Sequence, residues 1–133
     1  MRKFDTPIDF LTEIKVDDVE IVYNNTFEIG QGGPKVGYLS INGELIPNNY
    51  FGGPILLDDQ YIYIPIYMKR FLLSWRFKLA RINLSSLKID IVGKWKSVIF
   101  LDRIENGMIF FYEDAGKIHA NQYKLSEFVY LHV

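Results

Sequence analysis

Apolar side chains recur at every second position along most of this chain, a period that suits strands and defeats amphipathic helices. Between Gln60 and Tyr67, Ile62, Ile64 and Ile66 share one face while Tyr61, Tyr63 and Pro65 line the other. Lys78–Leu84 alternates likewise, Ser85-Ser86 reads as a tight reversal, and Leu87, Ile89 and Ile91 resume the pattern. Ser97–Ile104 is a further strand that meets Asn106-Gly107. Asn-Gly adopts positive φ at low cost, as a type I′ turn requires, so a hairpin into Met108–Tyr112 is expected. A second such pair, Asn42-Gly43, joins Val36–Ile41 to Glu44–Ile46, and Val19–Tyr23 and Thr26–Ile29 read as two short strands around Asn24-Asn25. Gly-Gly-Pro at residues 32–34 and 52–54 marks loops with unusual backbone angles. Pro65 cannot donate to a sheet ladder, which predicts an edge strand or a bulge there. Helical geometry is expected only near Asp9–Ile14 and as a single turn over Met68–Trp75. The fold class that follows is all-β, with about ten to twelve short antiparallel strands in one domain over residues 1–133.

Two stretches share a plan. Tyr61–Ile66, Phe77–Leu84 and Ile89–Val92 form a strand, a strand ending in Ser-Ser, and a strand; Met108–Tyr112, Ile118–Leu125 and Phe128–Leu131 repeat that order further on. The spacing is that of a four-stranded propeller blade, and three such units are too few to close a ring. Half-propeller-like blades are therefore one expectation, with a β-sandwich or barrel as the competing architecture.

Chemistry fails mostly at the inventory. The chain has no cysteine, so disulfides, thiolate metal sites and thiol nucleophiles are excluded, and a reducing compartment fits. Its two histidines are His119, in an expected strand near Glu113 and Asp114, and His132, next to the last residue. A lone strand histidine is ordinarily a satisfied side chain, and no metal-binding, phosphate-binding or nucleophile motif accompanies it. The expectation is that the protein is not an enzyme and holds no metal or cofactor. Asp5, Pro7 and Asp9 interrupt any apolar signal segment after Met1-Arg2-Lys3, and the stretch Gln60–Met68 is too short to span a bilayer, so a cytoplasmic location away from membranes is expected.

The net charge of −1 conceals a division: residues 1–60 carry −6, residues 61–103 carry +7, and residues 104–133 carry −2. Such asymmetry steers partners if the fold keeps the segments apart and vanishes if strands interleave. In the basic segment Lys69, Arg70, Arg76, Lys78, Arg81, Lys94, Lys96 and Arg103 alternate with Phe71, Trp75, Phe77 and Trp95. Cations beside aromatic rings suit a single-stranded nucleic acid. The near-neutral total lacks the basic balance common in such binders, so nucleic acid is the runner-up partner rather than the expected one. A scaffolding subunit, self-associating through an edge such as Gln60–Tyr67, is the third reading.

The runs Ile55-Leu-Leu-Asp-Asp-Gln-Tyr-Ile-Tyr-Ile-Pro-Ile-Tyr, Phe77-Lys-Leu-Ala-Arg-Ile-Asn-Leu and Ile104-Glu-Asn-Gly-Met-Ile-Phe-Phe-Tyr-Glu-Asp give residues 50–127 a character that resembles small bacterial immunity proteins. These are the partners of polymorphic toxins, including those of contact-dependent growth inhibition systems. The resemblance implies a cytoplasmic protein that binds a cognate toxin domain, often a nuclease, and blocks its active site or substrate channel; a monomer when free is expected beside it. It transfers no individual residue. Toxin nucleases need basic surfaces, so the residues expected to meet one are three acidic clusters: Asp17, Asp18 and Glu20; Asp58 and Asp59; Glu113 and Asp114. Tyr61, Tyr63 and Tyr112 lie beside the latter two as candidate aromatic anchors.

Overall fold

The computed structural model describes residues 5–70 and 74–131, and contains twelve strands and one 3₁₀ turn. The strands are β1 (Glu13–Val16), β2 (Val19–Glu28), β3 (Lys35–Ile41), β4 (Glu44–Phe51), β5 (Leu56–Leu57), β6 (Tyr61–Lys69), β7 (Trp75–Asn83), β8 (Ile89–Lys96), β9 (Phe100–Glu105), β10 (Met108–Tyr112), β11 (Ala120–Lys124) and β12 (Val129–Tyr130). Every pairing is antiparallel. Nine strands form one sheet in the order β1-β2-β3-β4-β6-β7-β8-β12, with β5 on the flank of β6, and β11-β10-β9 form a second. The large sheet curls strongly into a half-barrel.

The alternation along β6 explains the layering. Ile62, Ile64 and Ile66 point into the curl, where they meet Ile21, Leu39, Ile41, Ile46, Phe51, Ala80 and Ile82. Tyr63, on the opposite face, joins Phe77, Leu79 and Val92 against Ile99, Leu101, Ile109 and Phe111 of the small sheet's side. The central strands of the half-barrel are thus covered on both faces, and each face has its own core. Tyr23 enters the inner core with its hydroxyl donating to the Gly52 carbonyl at 2.6 Å, which satisfies the buried polar atom. That burial pushes its ionisation well above the usual tyrosine range.

Both Asn-Gly turns form as expected, with φ of 50° and 82° at Asn42-Gly43 and 53° and 74° at Asn106-Gly107. Several other expectations are corrected. Asn24-Asn25 is no turn: β2 runs through it unbroken, absorbing the extra residues as a bulge against β3 with Asn25 at φ 52°. Pro65 sits in an interior strand without a bulge, since β6 pairs along its whole length with β7. On its other side β4 pairs at Tyr50 and Phe51 and β5 at Leu56 and Leu57, and Pro65 falls in the gap between them. Its carbonyl still accepts from Gly52 N at 2.9 Å, and no donor is needed from a proline placed there. Gln60–Tyr67 is consequently not a free edge, which removes the self-association surface expected of it.

Asp9–Ile14 is not helical. Thr6 Oγ1 caps a turn by accepting from Ile8 and Asp9 N, Phe10 drops into the inner core, and β1 begins at Glu13. Met68, Lys69 and Trp75 belong to strands, and residues 71–73, which complete that expected turn, lie outside the described residues. The blade repeat gives way to the barrel alternative. β6, β7 and β8 are consecutive neighbours in one sheet, whereas in the second stretch β10 and β11 pair but β12 leaves to join β8. A two-residue strand paired far back in the chain has no local signature, and pattern alone could not distinguish it from a third blade strand.

Candidate functional site

Of the expected acidic residues, some organise the fold and others stand free. Asp58 closes the turn into β6: its Oδ1 accepts from Gln60 N and Tyr61 N at 2.9 and 2.7 Å, and its Oδ2 accepts from the Tyr63 hydroxyl at 2.9 Å. Asp114 does the same for the loop between β10 and β11, accepting from Gly116, Ile118 and His119 N. These backbone donors, His119 first, hold its carboxyl below the usual range. Partial burial opposes ionisation of Glu113, yet hydrogen bonds from Asn121 Nδ2 and Lys96 Nζ, at 2.8 and 3.1 Å, keep its carboxyl low as well.

Asp17, Asp18, Glu20 and Asp59 are exposed. Asp17-Asp18 is the β1–β2 turn, with Asp17 at φ 54°. Glu20 and Asn42 are knitted together, Glu20 N donating to Asn42 Oδ1 at 2.7 Å and Asn42 N to Glu20 O at 2.8 Å. The curl of the sheet sets Asn42, Gly43 and Glu44 across a notch from Leu84, Ser85 and Leu87, and Leu84 N donates to the carbonyl of Gln60, next to Asp59. Glu44 lines this notch, and one member of each of two acidic clusters is a bonded or chain neighbour of its walls: Glu20 through Asn42, and Asp59 through Gln60. Lys15, across from Glu20, and Lys88, in the adjoining turn, offset part of this charge. The third cluster lies at the far end of β8, where Lys96 holds Glu113, roughly 20 Å along the strand from Ile89.

Of the candidate tyrosine anchors Tyr63 is corrected, while Tyr61 and Tyr112 remain partly exposed. Tyr63 is buried at 1% exposure, and its ionisation is pushed well above the usual range by burial and by Asp58. Tyr61 lies under the Arg81 guanidinium, 4.3 Å from its ring, and Tyr112 packs edge-on against Phe100. His119 is largely exposed, with Nδ1 3.5 Å from Asp114 Oδ1, on the loop leading to β11 rather than in a strand. His132 lies outside the described residues.

Sequence reading missed an aromatic strip on the outer face of the half-barrel, beyond the cover of the small sheet. Phe27 of β2 meets Tyr50 of β4 edge-on at 5.2 Å; Tyr50 meets Tyr38 of β3 at 4.8 Å and Trp75 of β7 at 5.8 Å; Trp75 stacks on Tyr67 of β6 at 5.4 Å. Phe27 and Trp75 are 43% and 38% exposed, high for such large apolar side chains. The five come from five strands at no common spacing, and only the register Phe27↔Val36, Tyr50↔Tyr67 and Tyr67↔Phe77 assembles them.

The basic segment is also sorted by the fold. Arg81 pairs with Asp90 at 2.8 Å, Lys96 with Glu113, and Arg103 with Asp102 and Glu105. Lys69, Arg70, Arg76, Lys78 and Lys94 have no carboxylate partner among the described residues. Four of them crowd the end of the β6–β7 hairpin remote from Tyr61↔Asn83, and Lys78 and Arg70 cover the Trp95 ring at 4.8 and 6.0 Å. The molecule therefore has an acidic end at the notch and a basic, aromatic end at this hairpin. Among the described residues no three acidic or histidine side chains gather as metal ligands, and no helix is long and apolar enough to cross a membrane. Comparison with protein families, curated proteins and solved structures finds no match.

Proposed function

We propose that this protein is an inhibitor of the immunity class, which binds a cognate toxin domain through its acidic end and occludes that domain's active site or substrate channel. The observation that carries this reading is the notch between the Asn42–Glu44 and Leu84–Leu87 turns, which Glu44 lines. On one side Glu20 is bonded to Asn42, with the exposed Asp17-Asp18 turn two residues before it; on the other Leu84 is bonded to Gln60, the neighbour of exposed Asp59. Uncommitted carboxylates concentrated on rigid turns complement the cationic surface of an enzyme that handles a polyanion, and raise the association rate above that of neutral docking. The resemblance of residues 50–127 to immunity proteins supports the same partner class, and the cytoplasm is where such a partner would be met.

The test begins with the open reading frame immediately upstream, whose carboxy-terminal domain is co-expressed with this protein. Protection of the cells and a co-purifying complex are expected. The triple variant Asp17→Lys, Asp18→Lys, Asp59→Lys should slow association about tenfold or more at low salt and much less at high salt. Asp58 is left untouched because its loss would open a turn. Cells that die as fast with the protein as without it, or an association rate indifferent to both salt and the triple variant, would overturn the proposal.

A further inference from the structure

We infer that the basic end is a second binding surface, independent of the acidic one, and that its ligand is a single-stranded nucleic acid. Two observations converge there. Lys69, Arg70, Arg76 and Lys78 occupy the last positions of one hairpin, with Lys94 nearby on β8, and none has a carboxylate partner among the described residues. Tryptophan rings are interleaved with them on both faces of that hairpin: Trp75 is 38% exposed, and Trp95 is half-buried beneath the cations themselves. On the outer face Lys69 stands directly across from Trp75, which continues into Tyr67 and Tyr50. On the inner face Met68 lies opposite Arg76 and Ile66 opposite Lys78, and Lys78 and Arg70 flank half-buried Trp95.

Charge and shape complementarity select the occupant. Phosphates answer the unpaired cations, and unstacked bases answer the flat rings, whereas a duplex hides its base faces and offers nothing to Trp75 or Trp95. An acidic protein segment would satisfy the cations but leave the rings without a matching partner. The near-neutral net charge does not argue otherwise, because none of the ion pairs among the described residues engages Lys69, Arg70, Arg76, Lys78 or Lys94, while Asp90, Glu113, Asp102 and Glu105 are paired with Arg81, Lys96 and Arg103.

The probe is a fluorescently labelled oligothymidylate of about twelve nucleotides, within the usual single-strand site size. Fluorescence anisotropy at low salt should show binding, with quenching of tryptophan emission. The logarithm of the affinity should fall with the logarithm of salt at a slope of about −2 to −3.5, as for three to five neutralised phosphates on a single strand. Arg76→Gln with Lys78→Gln should flatten that slope by about one unit or more. Trp95→Leu and Trp75→Leu should each weaken binding about tenfold while leaving the slope nearly unchanged. Lys15→Gln with Lys88→Gln makes the same charge change at the other end and should leave affinity within about twofold. The inference is overturned if no anisotropy change occurs at low salt, if a duplex of equal length or polyglutamate competes as well as the single strand, or if the tryptophan variants bind unchanged.

Discussion

Asp114 shows how one ionised side chain can hold a loop that has no core of its own. Its carboxylate accepts from the amides of Gly116, Ile118 and His119, and these bonds depress its folded-state ionisation below the ordinary 3.8. A carboxyl lowered on folding contributes stability that is present above the unfolded value and lost as pH falls through the lowered folded value. Amide exchange should therefore show His119 N–H protected at neutral pH and freed only as the pH falls below the ordinary carboxyl range, and Asp114→Ala should free it at every pH. Persistent protection in that variant would mean that the strands on either side hold the loop. Gly93 is the second decisive residue. It bends β8 at φ 82°, and a Cβ there would overlap the Tyr123 ring. Gly93→Ala should cost about 3 kcal/mol, from left-handed strain plus the displaced ring, read as a shift in urea midpoint. Neither role was legible beforehand. An Asp two residues ahead of a Gly suggests a turn, but only the fold reveals what approaches Gly93.

At the scale of elements, the hairpins were the legible part because their determinants are adjacent in the chain. Asn42-Gly43 and Asn106-Gly107 needed nothing but their own dihedral preferences and the alternation on either side. Asn42 does more than turn, since its side chain also receives Glu20 N. Replacement by Gly keeps the positive φ and loses that bond, for about 1 kcal/mol; replacement by Ala loses both, for about 2 kcal/mol or more, and denaturant titration should rank the two in that order. Pro65 and the Asn24-Asn25 pair were misleading for the opposite reason. A proline warns against an interior strand only if a neighbour needs its N–H, and whether one does depends on where β4 ends and β5 begins. The aromatic strip and the Tyr61–Tyr63 pair teach the same lesson at the surface. Alternation put both tyrosines on one face, but the small sheet decides which part of that face is covered.

For the whole molecule, the two cores are joined at the carboxy-terminal strand. Phe128, 7% exposed, belongs to the core between the sheets; Leu131, three residues on, packs against the core inside the curl, and its N–H bonds Ile89. Phe128→Ala should lower stability by about 3–5 kcal/mol, in line with other buried phenylalanines, and unfolding should stay a single transition because β12 couples the two layers. Two separated transitions by near-ultraviolet and far-ultraviolet dichroism would show that each layer folds on its own. The uneven charge of the sequence left open whether the segments stay apart or interleave. In the fold the β6–β7 ladder carries Lys69, Arg76 and Lys78 at its Lys69↔Trp75 end, away from Asp58 and Asp59 at the Tyr61↔Asn83 end, whereas Glu113 joins Lys96.

The pairing of β12 with β8 also imposes a schedule on synthesis. Every other neighbour in the large sheet begins within about ten residues of its partner's end, and those pairs can close as the chain emerges. β8 is finished at Lys96, but the strand that covers the Ile89–Ile91 part of its free edge ends at Tyr130, 34 residues later. At translation rates of 5–20 residues per second, that edge waits about 2–7 seconds with its backbone groups unpaired. During this interval a nascent chain is a template for any other strand in reach, so slowing translation between those points should increase aggregation of newly made protein without altering the stability of the finished fold.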